Sequence, residues 1–93
     1  MKKMYDVTRE IFNVRGNEMV STTICDTIFK SENLEEAKAF FNTLKSGADL
    51  RNLKNGVKYV EYLLAEQEVD EDGDYVGCAE FLDRKVVEYD KTI

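Results

Sequence analysis

The side chains able to do chemistry are few in kind. The 93-residue chain contains no His, no Trp and no Pro. Without His, imidazole acid–base catalysis, His metal ligation and Ser-His or Cys-His nucleophile pairs are excluded. What remains is carboxylates, five tyrosines, two cysteines and the serines Ser21, Ser31 and Ser46. No spacing couples one of these nucleophiles to a base. The five glycines are isolated, so no glycine-rich phosphate loop exists. Paired carboxylates for glycoside hydrolysis need a deep cleft, and a chain this short has too small a core to build one. The expectation is a protein without enzymatic activity and without a cofactor.

Two constellations come near to metal chemistry. Asp70, Asp72 and Asp74 have the D-x-D-x-D spacing that opens a calcium loop. In such a loop a glycine follows the third acid and a glutamate closes the loop at the twelfth position. Here those places hold Tyr75 and Phe81, so a solvated acidic tip is expected and no metal. Cys25 and Cys78 stand too far apart for a zinc knuckle, whose ligands lie about two to four residues apart. Both are expected to be buried, free thiols acting as small hydrophobes.

The strongest pattern is the distribution of charge. The chain carries 13 Lys and Arg against 19 Asp and Glu, a net charge of −6. Residues 1–58 hold ten basic and eight acidic side chains, whereas 59–93 hold three and eleven. Between Lys58 and Arg84 there is no base, and there are nine acids: Glu61, Glu66, Glu68, Asp70, Glu71, Asp72, Asp74, Glu80 and Asp83. Such a block reads either as a solvated face or as a binding surface. Glu66, Glu68 and Asp70 alternate, so on a strand they project to one side about 6.6 Å apart. That is close to the spacing of neighbouring phosphates along a nucleic-acid strand. A cationic groove on a partner would relieve their mutual repulsion and gain on-rate from steering. Direct nucleic-acid binding through a broad basic surface is not expected.

The elements that must hold these acids can be read from composition and period. Residues 4–14 and 19–29 are rich in Tyr, Val, Ile, Phe and Thr, with Thr22, Thr23 and Thr27 in the second run. Gly16-Asn17 between them signals a hairpin, 4–29. Pairing across that turn sets Val14 opposite Met19, Tyr5 opposite Ile28 and Arg9 diagonal to Asp26. Asn33 with Glu36 forms a capping box ahead of Leu34, Ala37, Phe40, Phe41 and Leu44 at helical spacing. Lys45 complements the dipole and Gly47 supplies the stop, which predicts a helix over 34–45. Residues 48–56 read as a loop or one short helical turn. A second hairpin, 57–89, turns at Asp72-Gly73, with Val57, Tyr59, Leu63, Ala65 and Val69 on one side. Its pairing sets Glu61 against Arg84, Leu63 against Leu82, Leu64 against Phe81 and Val69 against Val76, with a bulge near Asp83-Arg84.

The expected fold is therefore a single α+β domain of order ββαββ. Two hairpins form an antiparallel twisted sheet, with one amphipathic helix packed on one face. The helix should meet Ile24, Leu63 and Leu82. Val60, Tyr62, Leu64 and Phe81 would then lie on the far face, either covered by curvature or exposed for a partner. No apolar run follows Lys2-Lys3, and no window of about 18 apolar residues occurs, so neither a signal peptide nor a membrane span is expected. The reading is a cytoplasmic protein, of a bacterium or of a host cell infected by whatever encodes the chain.

The opening Tyr5-Asp6-Val7-Thr8-Arg9-Glu10, the Gly-Asn hairpin and the Asn33-Leu-Glu-Glu-Ala-Lys-Ala-Phe helix resemble small acidic accessory proteins of phages and mobile elements. Some of these are anti-CRISPR or anti-restriction inhibitors, and several act as nucleic-acid mimics. The resemblance implies an inhibitor that occupies the basic nucleic-acid groove of a larger protein, a CRISPR effector or a restriction-type nuclease. The alternative is a structural or regulatory module that forms a homodimer through a sheet edge or an apolar sheet face.

Overall fold

The computed structural model describes residues 2–89, as an α+β arrangement of four antiparallel strands and one short helix. Strands β1 (Lys2–Arg15) and β2 (Glu18–Ser31) precede helix α1 (Leu34–Asn42), and β3 (Lys58–Val69) and β4 (Tyr75–Glu88) follow it. In the sheet the order is β2-β1-β3-β4. The two hairpins thus join through β1 and β3, whose pairing runs unbroken from Lys2 opposite Val69 to Asn13 opposite Lys58. Strands of 12 to 14 residues make the molecule long, 45 × 24 × 22 Å. No helix among the described residues is long and apolar enough to cross a membrane.

Pairing and alternation assign the faces. Val7 and Ile11 of β1 share a face with Val60, Tyr62 and Leu64 of β3, and α1 lies there. Ala37 and Phe41 of the helix complete that core, all seven residues being buried. Phe40 stacks on Phe29 of β2 at 4.5 Å. This reverses the expected faces. Val60, Tyr62 and Leu64 are the floor under the helix, while Ile24 and Leu82 are exposed. The reason lies in β3, which is apolar at both parities because both of its faces are covered. The segment 43–57, a loop with turns and no helix, leaves α1 and passes the outer edge of β4. There the amides of Gly47 and Ala48 donate to Val86 O. It then packs Ala48, Leu53 and Val57 over Val14, Tyr59 and Val86 on the second face.

The helix ends at Asn42, earlier than expected, with Thr43 as C-cap donating to Phe40 and Phe41 carbonyls. Asn33 caps the other end, its Oδ1 accepting from Glu36 N at 3.2 Å. The reciprocal arm of the capping box runs through Ser31, whose Oγ donates to Glu36 Oε2 and accepts from Asn33 N.

Both hairpin registers also depart from the simple pairing. Near its turn the first hairpin matches, with Val14 opposite Met19. Shifts between Glu10 and Phe12 and between Val7 and Thr8 then bring Ser31, not Ile28, opposite Tyr5. Arg9 comes to lie directly opposite Asp26 and forms an ion pair with it. In the second hairpin Glu61 faces Val86, Leu63 faces Arg84, Leu64 faces Asp83 and Val69 faces Tyr75. The irregularities there fall between Leu64 and Ala65 and between Glu66 and Glu68, opposite extra residues in β4. At the second of them Gly77 adopts φ +74°, a left-handed conformation that glycine takes without strain. Gln67 Nε2 plugs the bulge by donating to the Val76 and Gly77 carbonyls, both at 2.9 Å.

Candidate functional site: the acidic end of β3 and β4

The nine acids lie along β3, β4 and the loop between them, but they are not equivalent. Three have internal tasks. Glu61 accepts from Arg84 Nε at 2.5 Å, and its side chain is only 12% exposed. Glu66 pairs with Lys3 Nζ at 2.5 Å. That hydrogen bond, and then the charge of Glu66, hold the Lys3 ammonium above the usual lysine value. So the gap in positive charge between Lys58 and Arg84 is partly filled from β1, across the sheet.

Asp70 is the third. The turn between β3 and β4 is not a two-residue Asp72-Gly73 turn but a five-residue loop, 70–74. Asp70 N donates to Asp74 O at 2.9 Å, and Asp70 Oδ1 accepts from the amides of Asp72 and Asp74, each at 2.9 Å. Gly73, at φ +85°, permits the reversal and donates to Asp70 O. An Asx carboxylate that closes its own loop replaces the tight turn because it satisfies two amides at once. Asp70→Ala should therefore lower stability by about 1 kcal/mol, as loss of a helix N-cap does, whereas Asp70→Asn keeps the acceptor and should cost less. Urea unfolding of both variants checks this; equal stability of Asp70→Ala and the parent protein would remove the loop-closing role. Among the described residues no group of three or more acids and cysteines is arranged to hold a metal.

The remaining six acids, Glu68, Glu71, Asp72, Asp74, Glu80 and Asp83, are exposed. Glu68 and Glu80 share one side of the sheet, with Glu66 between them and Asp83 further along β4. Residues that face each other across an antiparallel pair project to the same side. Lys3, Glu66, Glu68, Val76, Gly77, Cys78 and Glu80 line a shallow depression of about 340 Å³ on this side. Cys78 is a free, exposed thiol there, and Cys25 is free and exposed on β2. Neither is buried as expected, because each sits on an outer strand of the sheet rather than in its middle.

Beside the acids β4 carries apolar side chains that the charge pattern did not single out. Phe81 is 65% exposed, and Tyr75, Val76 and Leu82 are exposed as well. Tyr75 reaches across the second face, where its hydroxyl donates to Asp6 Oδ2 at 2.8 Å. Lys30 Nζ stands 5.1 Å from the centre of the Tyr75 ring. Its ammonium is held above the usual lysine value, first by hydrogen bonding to Tyr75. The signal for this edge was present in the sequence as the run Tyr75-Val76-Gly77-Cys78-Ala79, which has no charge to mark a solvent-facing side. No protein-family model, no curated protein and no solved structure matches this chain.

Proposed function

We propose that the protein is a non-enzymatic inhibitor that binds a larger protein through the acidic end of β3 and β4. It occupies a basic nucleic-acid-binding groove there by imitating phosphates, in the manner of an anti-CRISPR or anti-restriction protein. The observation that carries this reading is six exposed carboxylates on a hairpin rather than a flexible tail, beside which the cations Lys3 and Arg84 are already paired with Glu66 and Glu61. A hairpin holds like charges at fixed spacing, so a complementary groove gains their attraction without first ordering them. Glu66 and Asp70, which the alternation of charge placed in the binding row with Glu68, act within the fold; Glu68 stays in the row, and Glu80 and Asp83 stand beside it.

The test is competition with labelled DNA for a CRISPR effector or a restriction-type nuclease. Glu68→Gln, Glu80→Gln and Asp83→Asn together should weaken competition about tenfold at low salt, since exposed pairs contribute less than 1 kcal/mol each. The difference should shrink as salt rises. The control is Glu18→Gln, Asp49→Asn and Glu88→Gln, which removes three exposed charges at the opposite end of the sheet. Equal competition by both triple variants overturns the reading.

A further inference from the structure

The outer edge of β4 suits one kind of partner. β4 pairs only with β3, and every residue from Tyr75 to Arg84 is exposed. Among the described residues, backbone bonds from outside the hairpin reach β4 only near its far end, where Gly47 and Ala48 donate to Val86. An open strand edge is a template for another strand. Here the edge has two different sides. Val76, Glu80 and Asp83 face Glu68, Glu66 and Leu64, so they lie on the helix side of the sheet. Tyr75, Phe81 and Arg84 face Val69, Ala65 and Leu63, so they lie on the other side. Arg84 is already engaged by Glu61. A strand laid against this edge would meet the Glu80 and Asp83 carboxylates, with Val76, on one side and the Phe81 and Tyr75 rings on the other.

We infer that β4 captures an extended segment of its partner by strand addition, and that this segment alternates basic and apolar residues. The inference rests on the proposed reading that a cationic protein engages the acidic end, and it names the recognition mode. Charge decides against a second copy of this chain. Two β4 edges paired antiparallel would gather Glu80 and Asp83 of both copies on one side of a continuous sheet, where like charges repel. The other edge, β2, offers no basic stripe either, since its charged residues are Glu18, Asp26 and Lys30. Acids on an edge strand guard it against self-pairing. The same acids attract a strand of opposite sign.

The experiment uses synthetic peptides and fluorescence anisotropy at low salt. One labelled peptide alternates Lys and Val; a second has the same composition in two blocks. Two further versions of the alternating peptide are N-methylated at every second residue, in either phase. The alternating peptide should bind about tenfold more tightly than the block peptide, as a few added backbone hydrogen bonds would give. One N-methylation phase should abolish that advantage and the other should keep it. Phe81→Lys, at a site already open to solvent, should remove the preference without unfolding the chain. Equal binding of alternating and block peptides overturns strand addition and leaves the acidic-surface reading standing. Binding of none of the peptides overturns both. A dimer in sedimentation that Phe81→Lys dissociates gives the edge to a second copy, and likewise overturns the inference.

Discussion

Phe41→Ala should cost about 3–5 kcal/mol in denaturant unfolding, the usual range for removing a fully buried aromatic ring. Phe41 is 1% exposed and lies at the centre of the core, among Val7, Ile11, Ala37, Val60, Tyr62 and Leu64. Those strand residues come from the two middle strands, so they cannot move in to fill the gap without bending the sheet. A domain of this size has only about 5–14 kcal/mol in hand. The variant should therefore lose much of its stability, with a midpoint that falls while the slope stays near its original value. Phe40→Ala is the comparison. Phe40 is half-buried and stacks on Phe29 at the margin of the core, so its loss should be clearly smaller. If Phe40→Ala costs as much as Phe41→Ala, the helix is rotated from the orientation described.

How much of this was legible beforehand depended on whether the local sequence had one meaning. Asn33, Glu36 and the spacing of Ala37 and Phe41 have one meaning, and the helix stands where they place it. Its last turn was less clear. Lys45 looked like the dipole partner, but the backbone leaves the helix at Thr43, where the Thr hydroxyl takes the Phe40 carbonyl. The strands were legible as strands, because β-branched and aromatic residues dominate them. Their faces were not. β3 runs Tyr59-Val60-Glu61-Tyr62-Leu63-Leu64-Ala65, apolar at both parities, and alternation cannot choose a side for such a strand. Only the placement of the helix and of the loop 43–57 settles it. Register failed for a related reason. A bulge shifts every pair beyond it, and Gly77 and Gln67, which hold the β4 bulge, carry no signal of that role in sequence alone.

The acidic end shows the same limit. The excess of negative charge was plain from composition, and six of the nine acids are exposed there. Which acids are free was not plain, because their partners come from afar. Lys3 is distant in sequence from Glu66, and the two meet only because β1 pairs with β3. A charge count along the chain treats Lys3 as part of a basic first half. In the folded sheet it belongs to the acidic end.

Lys85→Met should cost about 1.5–3 kcal/mol, although Lys85 is partly exposed and carries a charge. The prediction follows from what its ammonium does. Helix α1 has no basic residue in its last turn, and its last carbonyls, which accept from the amides of Thr43 and Leu44, still lie at the negative end of the dipole. Lys85 projects from β4 on the helix side of the sheet, opposite Tyr62. Its Nζ donates to Phe41 O at 2.7 Å and to Leu44 O at 3.1 Å, and stands 4.8 Å from the centre of the Phe41 ring. The helix end is therefore capped from the sheet. Met keeps the length and apolar stem but removes both charged hydrogen bonds and the attraction to the ring, and leaves two carbonyls without that donor. Hydrogen bonds to a charged group contribute about 1.5–3 kcal/mol where the acceptor is part-buried. Lys85 also links β4 to α1, which otherwise packs on β1, β2 and β3. Hydrogen exchange should show where the loss falls: amides of residues 40–48 should open faster in Lys85→Met, while those of the β1–β3 pairing keep their protection. A loss of stability below about 0.5 kcal/mol, the level of an exposed ion pair, would mean that water replaces the ammonium at no cost, and that α1 is held by Phe41 and its apolar neighbours alone.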